Sequence, residues 1–225
     1  MAVNSLHFMK FHMSEPWSIK DLCEKIFNSL SEEGERFILN EETASIIDGY
    51  YVTYFYAKEM IYNEDINSLE TIVVKKSLVI PFSIDLKNQI IDVWSSKSNA
   101  NKLVTQLGIR LDHKVSIESI DINLENIAND LQGRNIKIGR IKIQNFLIEK
   151  DIVANCTFDL SNHNNPSNTL KKYSKDLVQM AIIISEEQNE VVSMMIYKSG
   201  SVVVYKSKEE ISLKTLELVR KICVR

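Results

Sequence analysis

Asp85 and Lys87 stand in acid-x-Lys spacing within SIDLKNQI. In some metal-dependent nucleases the acid of that signature binds a divalent ion and the lysine steadies developing charge. Here the pair falls at the tip of an expected hairpin, between two apolar runs, where polar residues serve a turn equally well. Upstream acids such as Asp65 and Glu70 would have to complete a metal cluster. A metal-dependent nuclease subunit using Asp85 and Lys87 is thus one reading, and turn chemistry is the preferred one.

A second group is aromatic. Tyr50, Val52, Tyr54 and Tyr56 share one strand parity, with Tyr51, Thr53, Phe55 and Ala57 on the other. Such a row can stack bases or form a Tyr-rich protein interface. It can equally be a central strand covered on both faces, since Tyr packs its ring and still finds a partner for its hydroxyl. A third group is basic: GRNIKIGRIK carries Arg134, Lys137, Arg140 and Lys142 without an acid. Those side chains suit phosphate contacts, or the solvated face of an edge strand. Tyr50, Tyr54, Tyr56, Arg134, Lys137, Arg140 and Lys142 are therefore the candidate nucleic-acid residues.

Other chemistries lack their residues. The four histidines, His7, His12, His113 and His163, include no pair at i, i+2 or i, i+4. His7 and His12, five apart, fall on opposite faces of a strand. Cys23, Cys156 and Cys223 form no CxxC. The six glycines make no phosphate loop, and there is no GxSxG elbow. No catalytic residue, metal or cofactor is expected.

Composition narrows the class. With 44% hydrophobic and 25% charged residues the chain reads as an ordinary globular protein. A net charge of −3 argues against a whole-surface electrostatic hold on DNA or an anionic membrane. MAVNSLHFMKFHM has neither an apolar core of leader length nor a small-residue cleavage site, so no secretory leader is expected. The longest apolar runs, LVIPF and MAIII, are too short for a membrane span. Unpaired cysteines fit a reducing cytoplasm. The excess of 21 Lys over 6 Arg, with abundant Ile and Asn, suggests an AT-rich bacterial or mobile-element genome.

The elements that would position these groups follow from periodicity. Strands are expected at 5–12, 36–39, 50–62, 71–86 (interrupted or at an edge near Pro81), 89–94, 114–120, 135–148 (with a bulge at Gly139-Arg140), 151–160 and 177–185, then VVSMMIYK and SVVVYK. Asp48-Gly49 reads as a turn, and SNHNNPSN, 161–168, as a loop. Helices are expected after Ser18, after Ser98 to a stop at Gly108, from Leu124 to a stop at Gly133, and from Ser207.

Both halves then read strand, helix, several antiparallel strands, helix. At an offset of 112, Ile84 falls on Ile196, Ile90 on Val202, Ser95 on Ser207 and Leu107 on Val219. The expected fold is α+β, mostly antiparallel sheet with helices on one face, in two similar halves, 1–112 and 113–225. At the level of topology alone this resembles the two-lobed TATA-binding-protein-like arrangement, which implies a shape and no substrate. The expected function is a non-enzymatic cytoplasmic binding or assembly component. It would act through protein contacts with a partner or a second copy, as in an accessory subunit of a bacterial or mobile-element system. The alternatives are a nucleic-acid-binding module using 134–142 and 50–56, and the nuclease subunit.

Overall fold

The alternating run NSLHFMKFHM forms β1 (Asn4–Met13), and the chain assembles around it. The computed structural model describes residues 4–28, 34–130, 136–163, 166–186 and 190–224. In it β1 is paired along both edges. β5 (Ile90–Trp94) runs antiparallel to one edge, with Leu6 opposite Trp94 and Lys10 opposite Ile90. Along the other edge β11 (Ser201–Val204) covers Asn4–His7, and β6 (Val115–Ser119) covers Met9–Met13. β2 (Arg36–Glu42), β3 (Ile46–Asn63) and β4 (Ser68–Asp85) continue the sheet beyond β5. β10 (Val191–Tyr197), β9 (Leu177–Ser185), β7 (Ile136–Glu149) and β8 (Ile152–Asp159) continue it beyond β11. The order is β2-β3-β4-β5-β1-β11-β10-β9-β7-β8, with β6 beside β1, and each of these pairings is antiparallel. The class is α+β. No helix among the described residues is long and apolar enough to cross a membrane.

Helices cover both faces, not the one face expected. Met9 and Phe11 of β1, Phe82 and Ile84 of β4, and Ile91 and Val93 of β5 pack under α1 (Ile19–Phe27) and α2 (Lys97–Arg110). Leu6 and Phe8 of β1 and Ile90 and Trp94 of β5 point the other way. They join a second core with α3 (Leu124–Asp130), α4 (Pro166–Tyr173) and α5 (Leu213–Cys223). The reason lies in β5, which is buried at every position. A strand apolar on both sides offers either face to a helix, so alternation alone does not choose between them. Each Ile, Leu or Phe so buried contributes about 1.5–3 kcal/mol.

Several local expectations shift for identifiable reasons. Asp48-Gly49 is not a turn but lies inside β3, where a side chain at Gly49 would sit 2.8 Å from the Ile38 carbonyl oxygen. The turn is formed instead at Thr43–Ser45, whose Thr43 hydroxyl accepts from the Ile46 amide. β4 is not interrupted at Pro81; the proline stands one residue before pairing with β5 begins at Phe82, so that side of the strand is open there. α2 is capped by Ser96 rather than Ser98 and runs through Gly108 to Arg110. The fully buried Leu111, one turn after Leu107, carries the chain past the glycine, and left-handed Asp112 and His113 end it. The expected loop 161–168 contains the start of α4 at Pro166. Ser207 and Glu210 do form a capping box, but on a short 3-10 turn. Extended, buried Ile211 then separates that turn from α5, which is capped by Ser212. The bulge between Ile138 and Arg140 is present. The Gly133 helix stop lies outside the described residues.

Among the described glycines, Gly200 makes the tightest backbone approach. Its φ is +86°, and a Cβ there would fall on the Ile120 carbonyl oxygen, where Ile122 is tied to the same hairpin by its amide to Lys198 (2.9 Å). Gly200→Ala therefore combines strain with a clash at backbone, and should cost more than about 1 kcal/mol in urea unfolding. An unchanged midpoint would contradict this packing.

Candidate functional site

β3 and β4 pair over all 18 residues of each strand, but their neighbours are shorter. Pairing with β2 ends at Val52 and pairing with β5 at Phe82. Among the described residues, Thr53–Asn63 and Ser68–Leu78 therefore leave the sheet as a two-stranded arm, roughly 35 Å long at ~3.4 Å per residue. At its tip Asn67 is left-handed and is held by the Tyr62 hydroxyl, while Asn63 donates to Glu70 (2.9 Å).

The arm's two faces differ. Even-numbered β3 residues share a face with odd-numbered β4 residues, because Tyr56 pairs with Lys75 and Lys58 with Val73. That face carries exposed Tyr54, Tyr56, Met60, Tyr62, Leu69 and Val73. Its only charges are Lys58 and Lys75, and the Lys75 ammonium sits 4.3 Å from the centre of the Tyr54 ring. The other face mixes Phe55, Ile61 and Ile72 with Glu70 and a Glu59–Lys76 ion pair. Tyr50, Tyr54 and Tyr56 thus lie on one face, with Tyr50 half-buried at the root and Tyr56 at 72% exposure. Tyr51 is core, packed on Phe37 at 4.9 Å. Up to Thr53 the odd-numbered face of this strand is buried and the even-numbered face half-buried, so the strand is not covered on both faces as a central strand would be. The parity row continues to Met60 and Tyr62, but Leu69 and Val73 become neighbours only through the register.

The basic strand is elsewhere. Lys137 and Arg140 are exposed and Lys142 half-buried, on the side of β7 away from its core residues Ile138, Ile141 and Ile143. β7 is flanked by β9 and β8 and is not an edge strand. Arg140 lies opposite Asp159, whose carboxyl is held below its ordinary range chiefly by Ser161 and also by Arg140. Arg134 lies outside the described residues. Seven strand positions, roughly 30 Å at ~4.8 Å each, separate β7 from β3. The basic row and the tyrosine row also face opposite sides of the sheet.

Asp85 and Lys87 border a cleft of about 760 Å³ beneath the C-terminal end of α5. Its walls are the α5 face of β1 (Lys10, His12), the β4–β5 turn (Lys87–Gln89) and α5 (Glu217, Arg220, Lys221). Asp85 is buried, and both its oxygens are engaged. Oδ1 accepts the Asn88 amide (3.0 Å), and Oδ2 accepts Asn88 Nδ2 (2.8 Å) and Arg220 (3.3 Å). Turn chemistry therefore accounts for the acid of the acid-x-Lys pair. Among the described residues, no three His, Cys, Asp or Glu side chains gather as a metal site. His7, on the opposite face of β1, is buried, and burial lowers its pKa.

Arg220 also holds Asp92, through Nε at 3.0 Å and through Nη2. Asp92 is 1% exposed, and its Oδ1 has no partner among the described residues. Burial raises the Asp92 carboxyl above its ordinary range, against the pull of the guanidinium. Lys208 pairs with Asp48 nearby at 2.8 Å. Sequence reading passed over Asp92 and Arg220. The available signal was an aspartate inside the apolar run QIIDVW, a buried position that demands a partner.

No protein-family model matches the chain, and no curated protein matches it.

Arg220→Ala strands the buried Asp92 carboxylate and leaves Asp85 with Asn88 alone, and should cost about 3–5 kcal/mol, measured by urea unfolding. Asp92 binds its proton to higher pH in the folded than in the unfolded state. Wild-type stability relative to Asp92→Asn should therefore fall as pH rises from the ordinary carboxylate range through the raised value. A pH-independent difference would contradict this assignment.

Proposed function

We propose that this protein is a binding or assembly component whose contact element is the β3–β4 arm, and that its occupant is a second copy of the chain. One observation carries the reading: a two-stranded ribbon beyond the sheet exposes Tyr56 (72%), Met60 (71%), Leu69 (64%) and Val73 (62%) on one face. Isolated two-stranded ribbons are marginal in water, and a contiguous apolar face of this kind marks an interaction surface. Charge favours self-pairing. The tip is acidic, with Glu64 and Asp65, while the apolar face carries Lys58 and Lys75 nearer the root. Two arms stacked face to face and antiparallel would bring each acidic tip over the partner's lysines, with tyrosines and methionines between them.

The two-half division at 112/113, the cytoplasmic setting and a bacterial or mobile-element origin belong to the same proposal. The run β2-β3-β4-β5-β1 on one side and β11-β10-β9 on the other is compatible with a duplicated plan. Helices on both faces depart from the one-faced TATA-binding-protein-like arrangement. Nucleic-acid binding remains the second reading, favoured by tyrosines and lysines without an acid on the arm's apolar face. It would use the arm and β7 as separate surfaces. The engagement of Asp85 by Asn88 and Arg220 argues against the metal-dependent nuclease.

Tyr54 and Ser77 face each other at the arm's root, so residues 55–76 can be replaced by Asn-Gly as a two-residue turn. Light scattering should give twice the monomer mass for the full chain and the monomer mass for the shortened one. Lys75→Glu should weaken association, and Lys75→Glu combined with Glu64→Lys should restore it. A full chain that stays monomeric at high micromolar concentration overturns self-association. Tight oligonucleotide binding at low salt, lost on Tyr56→Ala, would favour the second reading instead.

A further inference from the structure

We propose that the cleft beneath the C-terminal end of α5 binds a small phosphate-bearing ligand. Three separate elements deliver lysines to it: Lys10 from β1, beside the His12 imidazole, Lys87 from the β4–β5 turn, and Lys221 from α5. Lys10, Lys87 and Lys221 make no ion pair among the described residues. Of the two acids at the cleft, Asp85 is buried and fully hydrogen-bonded, which leaves Glu217 as the one exposed carboxylate in the lining. The balance of the open groups is positive on a chain whose net charge is −3.

Lysines lining one cleft repel one another, and an anion in the cleft supplies the counter-charge that the fold withholds. Lysine ammoniums act as point charges toward phosphate, whereas bidentate recognition would need a free guanidinium, and Arg220 is already engaged by Asp85 and Asp92. The volume, about 760 Å³, falls within the range of small-molecule sites and is too confined for a duplex. The walls are fixed. Asp85 ties the turn to itself through Asn88 and to α5 through Arg220, and Phe11 of β1 donates to Gln89 at 2.8 Å. The acid and the lysine of the acid-x-Lys pair thus have separate work: Asp85 holds the wall, and Lys87 faces the ligand.

Inorganic pyrophosphate is the probe, titrated into the full chain by calorimetry, with sodium chloride at matched ionic strength as the control. Saturable binding is expected, together with a shift of the His12 imidazole resonances. Replacing Lys10, Lys87 and Lys221 together by Gln, all on exposed positions, should weaken binding at least about tenfold without changing the unfolding midpoint. The shortened-arm protein should bind as the full chain does, so this site and the arm fail independently. No binding at millimolar pyrophosphate, or equal binding by the triple variant, overturns the proposal. Binding by inorganic sulfate with the same affinity would show a non-selective anion site and would overturn the phosphate assignment.

Discussion

The whole sheet depends on β1 being paired along both edges and buried on both faces. Leu6 and Phe8 lie in one core, Met9 and Phe11 in the other, and all four are at most 4% exposed. The N-terminal strand therefore finds its partners from three distant places: β5 from the first half, β6 at the start of the second, and β11 near the end. Such contacts span most of the chain, so the sheet cannot close until the last hairpin has arrived. Long-range antiparallel pairing of this kind is slow to form.

The same geometry explains why an ion-pair cluster sits where it does. β4 and β5 are covered by α1 and α2 on one face and approached by α5 on the other. Asp85 and Asp92 point toward α5, and Arg220 meets both. An aspartate at the centre of a two-sided strand is costly to bury. Its cost is offset chiefly by a guanidinium from near the far end of the sequence, with Lys208 adding to it. The arrangement fixes the position of α5 on the sheet more sharply than apolar contact would, because a helix shifted by one turn would take the guanidinium away from the buried Asp92. It also shapes the cleft, since the Arg220 that joins the two walls also occupies Asp85.

Much of this was legible in the residues. Period-2 alternation located the strands, Ser18 located the first helix, where it forms a capping box with Asp21, and Gly139-Arg140 located the bulge. The tyrosine row was correctly placed on a single face. Boundaries were less legible where burial overrode a local signal. Gly108 did not stop α2 because Leu111 had a core to enter, and Asp48-Gly49 did not turn because the Ile38 carbonyl needed the space a glycine leaves. The arm was hidden for a related reason: Thr53 to Tyr62 looks the same whether or not neighbouring strands continue beside it.

The sequence by itself determined most of the strands, four of the helices, the antiparallel α+β class and the unmet demand of Asp92 for a partner, because these follow from side-chain period and solvation of single residues; α4 at Pro166 escaped it. Only the tertiary structure decided which face each helix covers, where β3 and β4 outrun their neighbours, and which distant cations line the cleft. Those outcomes depend on register and on lateral strand order. A strand apolar on both sides, such as β5, leaves both undetermined until its neighbours are in place.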